Sequence, residues 1–230
     1  MLYIKTIYKS IVGEGLDIGM PAVFIELNED CLDSEAEDAP KKMTFMEVVE
    51  QVKKYDDISA VFIIGGEPFV QDIKDIDWLI YELKGEGYFI SIETNGIFFP
   101  DLKHGKLTDR ICVCPELINT NPEAKAQAKT LKKYLEIYSH KFYLKFSIKD
   151  KIDFMETIGA LNNIENLREH NIPVVIQPSL VDILPKDKDK IGSRLDTLAM
   201  LALIDYTRNM DKYKIRLITP NYNIARYEVQ

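Results

Sequence analysis

The chain is expected to fold as an α/β protein with mainly parallel strands. Short runs rich in Val, Ile and Phe recur along it, and amphipathic stretches with helical spacing lie between them. Repeated strand–helix alternation implies crossover connections, which make neighbouring strands parallel. The 230 residues, 46% of them hydrophobic, suffice for a full core, so 1–230 is read as one domain.

Composition excludes several classes. The net charge of −8 argues against nucleic-acid backbone binding, which needs clustered Lys and Arg, though not against a small nucleotide-like ligand. No apolar run is long enough to span a bilayer, and MLYIKTIYKS lacks the apolar segment of a signal peptide, so no membrane association is expected. Cys31, Cys112 and Cys114 are an odd count without framework spacing, which points to a reducing, cytoplasmic compartment.

Residues 1–20 read as a strand or ribbon ending in the turn Gly13-Glu14-Gly15. Pro21 to Leu27 is a buried strand, followed by an acidic loop. Thr44 caps a helix that runs to Lys54, with Glu47 at the capping-box position. Ala60 to Ile64 is a strand ending at Gly65-Gly66. Asp72 to Leu83 is a helix with Ile73, Ile76, Leu79, Ile80 and Leu83 on one face. Strands follow at Tyr88 to Ile92 and Arg110 to Val113, then a helix over 122–138 and a strand from Lys141 to Ile148. The remainder reads as a helix from Lys151 to Glu169, a strand from Ile172 to Gln177, a charged loop from Leu184 to Lys190, a helix from Ile191 to Met210 and a strand from Lys214 to Thr219.

Chemistry-bearing motifs fall where strands end. In Gly65-Gly66-Glu67-Pro68 the glycines let a ligand approach the backbone, and Glu67 can accept from an ammonium; the alternative is a tight turn with a capping glutamate. Glu93-Thr94-Asn95-Gly96 offers an acid, a hydroxyl and an amide suited to a ribose or an amino acid, or is an ordinary Asn-Gly turn. Cys112 and Cys114 lie two apart on one side of a strand and read as core or near-core residues. Lys145 is either a pocket lysine or an outward strand lysine. Arg216 either meets a ligand carboxylate or forms a surface ion pair. His104, His140 and His170 have no metal-ligand spacing and read as surface residues.

Taken in order, Gly13-Glu14-Gly15, Gly65-Gly66-Glu67-Pro68 and Glu93-Thr94-Asn95-Gly96 resemble the radical S-adenosylmethionine (SAM) enzymes, in particular 7-carboxy-7-deazaguanine synthase. The resemblance runs along nearly the whole chain and implies an incomplete (β/α) barrel with about six core strands and ligand sites at their C-terminal ends. It implies a SAM or related adenosyl site at Gly65, Gly66, Glu67, Pro68, Glu93, Thr94, Asn95 and Cys114. A substrate site is implied at Gly13, Glu14, Gly15, Lys145 and Arg216, together with a homodimer.

The resemblance fails where the radical chemistry should be. The family holds an iron–sulfur cluster with Cys-x3-Cys-x2-Cys; the aligned residues here are Asp30, Ser34 and Glu37. These hard oxygen donors do not replace three thiolates, so no cluster is expected. The family threonine that touches magnesium aligns with Ala39, a substrate-binding arginine with Glu26, and the lysine of Ser-Pro-Lys-Leu with Glu116. The acids of the loop, Glu29 to Asp38, could gather a hard cation but read first as a solvated, mobile segment.

The functional expectation is a pseudoenzyme that binds a SAM- or nucleotide-like molecule, as a regulator or as a subunit with a protein partner. One alternative is a non-radical enzyme using Glu14, Glu67 or Glu93 as acid or base. The other is a working deazaguanine synthase with an atypical cluster site.

Overall fold

The computed structural model describes residues 1–28, 40–117, 127–164, 167, 169–179 and 215–218. Contacts group these into two units. The first holds Met1–Gly13 and Asp17–Cys112; the second holds Glu14–Leu16 and the described residues from Val113 onward.

In the first unit, β1 (Leu2–Ile11) runs antiparallel to β2 (Pro21–Leu27) and to the short edge strand β3 (Lys41–Met43). β2 is parallel to β4 (Ala60–Gly65), and β4 to β5 (Phe89–Thr94); β6 (Arg110–Val113) follows β5 in the sheet. Val23, Ile25 and Leu27 point to one face and join Val61, Ile63, Ile90 and Ile92 in the main core. Two helices cover that face. α1 (Phe45–Val52) starts at the expected capping box: the Glu47 amide donates to Thr44 Oγ1 over 3.2 Å, and the Thr44 amide donates to Glu47 Oε2 over 2.7 Å.

α2 (Ile73–Gly85) is capped by Asp72, which accepts from the amides of Lys74 and Asp75. Of the face its spacing predicts it buries Ile76, Leu79, Ile80 and Leu83, each contributing about 1.5–3 kcal/mol by leaving water, while Ile73 in the first turn is half-buried. On the opposite sheet face an aromatic row crosses the strands. Tyr8 stacks on Phe24 at 5.3 Å, Phe24 meets Phe62 at 5.6 Å, and Phe62 meets Phe89 at 6.2 Å.

In the second unit, β7 (Phe142–Ile148), β8 (Val174–Pro178) and β9 (Ile215–Leu217) are parallel neighbours. α3 (Gln127–Tyr138) precedes β7, and α4 (Lys151–Asn163) joins β7 to β8. Along β7, Leu144, Phe146 and Ile148 alternate with Tyr143, Lys145 and Ser147, which gives one apolar and one polar face.

α4 ends earlier than Glu169. Ile164 turns to extended geometry (φ −85°, ψ 104°), so the helix stops after Asn162-Asn163, a pair with poor helix propensity. The expected loop Leu184 to Lys190 and helix Ile191 to Met210 lie outside the described residues, as does the acidic loop with Asp30, Ser34 and Glu37. Among the described residues no helix is long and apolar enough to cross a membrane.

Candidate functional site

Each unit carries a polar cluster built around a glutamate.

In the first unit the cluster sits where β4 and β5 end. Gly65 has φ +88°, and a Cβ there would lie 2.6 Å from the Leu27 carbonyl oxygen. The neighbouring Gly66 amide donates to that same carbonyl over 3.0 Å. The backbone of β2 thus requires the first glycine, whatever else binds nearby. Glu67 caps a short 3-10 turn over Pro68–Val70 and accepts from the Phe69 amide over 3.1 Å. Pro68, buried at the first position, supplies the fixed φ that starts the turn.

The Glu67 carboxylate also receives Thr94 Oγ1 at 2.8 Å and the Asn95 amide at 2.8 Å. Thr94 Oγ1 accepts in turn from the Gly96 amide over 3.1 Å, and Asn95 Oδ1 from the Ile97 amide over 2.9 Å. The fold therefore brings Glu67, Thr94 and Asn95 together, and the capping and turn roles read from the sequence are all realised here. Glu93, on β5, places its carboxylate within 4.8 Å of the buried Cys112 thiol on β6. Cys112 and Cys114 form no disulfide with each other.

Nearby on β2, Glu26 pairs with Lys5 of β1 at 2.7 Å, so the acid standing where the resemblance implies an arginine has its own cation. Asp17 pairs with Arg110 at 2.9 Å. Burial pushes the Asp17 carboxyl above its ordinary range, and the Arg110 charge only partly offsets that.

In the second unit, Gly15 has φ +73°, and a Cβ there would lie 2.6 Å from the Tyr143 hydroxyl. This close seat puts Glu14 over the polar face of β7 and β8. Lys145, 4% exposed, forms an ion pair with Glu14, which is 38% exposed. Gln177 Nε2 donates to Glu14 Oε2 over 2.7 Å and to Ser147 Oγ over 3.3 Å. Ser147 and Gln177 are register partners across β7 and β8.

Burial pushes the Glu14 pKa up, but the Lys145 charge and the bonds from Lys145 and Gln177 outweigh it and hold it below the ordinary 4.5. Gln177 is 1% exposed, and its Oε1 accepts no hydrogen bond from the described residues. The cluster thus offers a carboxylate and an amide oxygen as acceptors beside a buried cation.

Arg216, on β9, is exposed and has no carboxylate partner among the described residues. It lies in the register row Lys145–Val175–Arg216, two strands from Lys145. His104, read from sequence as a surface residue, is half-buried: its Nδ1 lies 3.1 Å from Asp77 Oδ2 and its ring packs on Trp78 and Tyr81. Sequence reasoning missed Gln177, Ser147 and Lys5 as partners. Their only sequence signal is a polar residue alternating with apolar ones on a strand.

No family model matches the chain. Curated relatives named 7-carboxy-7-deazaguanine synthase do. That of Haemophilus influenzae is 35% identical over 98 residues, 41% of this chain and 45% of the relative. That of Aquifex aeolicus is 33% identical over 103 residues, 42% and 46% of the two chains. The chain spans about half the length of the curated relatives it matches.

Among solved structures, QueE from Escherichia coli superposes with a TM-score of 0.68 at 18% identity, over 96% of this chain and 94% of that one. SuiB from Streptococcus suis, a structure bound to S-adenosylmethionine, superposes with a TM-score of 0.54 at 12% identity, over 79% and 43%. These likenesses show the fold: a mostly parallel, unclosed α/β sheet of the partial-barrel type the sequence predicts.

Proposed function

We propose that this chain is a binding protein on a 7-carboxy-7-deazaguanine synthase-like frame. It takes an adenosyl or deazapurine-like small molecule at the strand ends and does not cleave SAM reductively. It acts in the cytoplasm as a regulator or subunit, as a homodimer or with a protein partner.

The observation that carries this reading is the Glu67–Thr94–Asn95 cluster at the ends of β4 and β5. Open α/β folds place ligands there, and a carboxylate held by fixed donors is ready to meet a ligand's ammonium. The neighbour bound to S-adenosylmethionine makes an adenosyl compound the first choice.

An iron–sulfur cluster does not fit the donors. The chain has three cysteines, at positions 31, 112 and 114, and these cannot form Cys-x3-Cys-x2-Cys. Asp30, Ser34 and Glu37 at the aligned positions are hard oxygen donors, whereas such clusters are held by soft thiolates.

Binding should be weak. Three described donors already occupy Glu67, so a ligand ammonium shares the carboxylate rather than finding it vacant. Without a cluster, the ligand's amino and carboxylate groups also lose two strong contacts. That places the dissociation constant in the high micromolar range or above, at tenfold per about 1.4 kcal/mol. S-adenosylhomocysteine, deazapurines and SAM are therefore compared by thermal shift and then by calorimetry. Binding of an adenosyl compound that Glu67→Gln weakens supports the reading. No adenosyl binding at millimolar concentration overturns it and leaves a scaffold or partner subunit.

The Glu14–Lys145–Gln177 cluster favours a second reading, a non-radical enzyme acting on a purine-like ligand. A buried lysine and a carboxylate of lowered pKa often mark reactive sites. Glu14 would serve there as an ionised acceptor or weak base rather than as an acid. Turnover of a bound deazapurine, lost in Glu14→Gln, separates this reading from pure binding.

A further inference from the structure

The outer face of α2 carries a surface that the strand-end clusters do not use. Trp78 and Tyr81, one turn apart, are 46% and 45% exposed. Their rings meet edge to face at 5.5 Å, and His104 packs against both, at 5.4 Å and 4.7 Å. Phe45 flanks Trp78 at 6.4 Å, and Met46 and Leu107 are also exposed. Clustered exposed apolar side chains of this size mark a contact surface more often than isolated ones do.

Beside the patch runs a groove of about 500 Å³, lined by Tyr81, Glu82, Lys84, Gly85, Glu86 and Leu107. Two of its charges are already matched: Lys84 pairs with Asp109 at 2.7 Å, and Glu86 with Lys53 at 2.7 Å. Glu82 is half-buried and meets no cation among the described residues. The groove thus has an aromatic wall at Tyr81, an aliphatic wall at Leu107 and one unmatched carboxylate. A long cationic side chain fits this pattern: its methylene stem lies on the apolar walls and its charge meets Glu82. Arginine suits it better than lysine, because its planar head also stacks on a ring.

We propose that this face of α2 docks a partner polypeptide through one arginine flanked by apolar residues, with Glu82 as the anchor.

Trp78 is the chain's single tryptophan, so it reports the contact directly. The probe is an acetylated, amidated peptide of leucine and serine with one central arginine; its control has a central glutamate. The arginine peptide should change Trp78 emission saturably, and added salt should weaken it. Glu82→Gln, with its circular dichroism unchanged, should bind about fivefold more weakly, as a partly exposed charge pair implies. Tyr81→Ala, read by calorimetry, should weaken binding as well. The proposal is overturned if the arginine peptide gives no saturable change at millimolar concentration, if the glutamate peptide binds equally, or if Glu82→Gln binds as the parent does. It is also overturned if sedimentation shows concentration-dependent self-association that shields Trp78, because a second copy then occupies the face.

Discussion

Glu67 and Glu14 each receive several hydrogen bonds, but from different kinds of donor. Those described for Glu67 are neutral: the Phe69 and Asn95 amides and the Thr94 hydroxyl, from a turn and a neighbouring strand end. Glu14 is held by the Lys145 ammonium and the Gln177 amide, 131 and 163 residues away along the chain. Neutral donors fix where a carboxylate points. A buried cation does more, since it depends on its carboxylate partner, and losing that partner leaves the buried Lys145 with a large desolvation cost. The Glu67 cluster should therefore tolerate change better than the Glu14 cluster.

The largest expected effect comes from Glu14→Gln. It strands Lys145, the more buried partner, and should cost about 3 kcal/mol in urea unfolding. Lys145→Met should cost about half as much, because the partly exposed Glu14 can regain water. Equal costs would show that burial does not set the asymmetry.

Gly65→Ala comes next. A φ of +88° and a contact of 2.6 Å with the Leu27 carbonyl should together cost about 2 kcal/mol, against the smaller loss expected at an open turn. Thr94→Val removes one neutral donor from Glu67 and the acceptor for the Gly96 amide, and should cost about 1 kcal/mol. A loss as large as that of Glu14→Gln would erase the contrast between the clusters.

The smallest effect is on pH dependence. Glu14 has a folded pKa below its ordinary 4.5, so its contribution is complete above 4.5 and is lost as pH falls through the folded value. Asp17 is shifted the other way, above its ordinary 3.8, so its term favours the fold as pH falls. Stability titrations below pH 4.5 should show a steeper acid loss in the parent than in Lys145→Met, and a steeper one in Asp17→Asn than in the parent.

The same contrast explains what could be read from the sequence. The capping box of Thr44 and Glu47, the buried stripe of α2 and the strands leading into Gly65-Gly66 and Glu93-Thr94 rest on short-range patterns; the structure repeats them, with the strands running on to Gly65 and Thr94 rather than stopping at Ile64 and Ile92. Meeting of Glu67 with Thr94 and Asn95 followed from parallel neighbouring strands ending together. Glu14 and Lys145 were each singled out, but their pairing, and the role of Gln177, depend on register between distant segments, which no local pattern encodes. The end of α4 was misjudged because apolar residues continue at Ile164 and Leu167, although the backbone leaves the helix at Ile164. β3 was missed because Lys41-Lys42-Met43 is too short to show alternation. The environment of His104 comes from aromatic packing on the outside of α2, again a tertiary effect.

On the proposed reading this frame binds its ligand without an iron–sulfur cluster. That reading is tested most directly by anaerobic purification and iron–sulfur reconstitution, followed by iron and sulfide assays and an absorption spectrum. A cluster-free binding protein yields no stoichiometric iron or sulfide and no broad band at about 400 nm, where thiolate-bound clusters absorb. About four irons and four sulfides per chain, with that band, would contradict the reading.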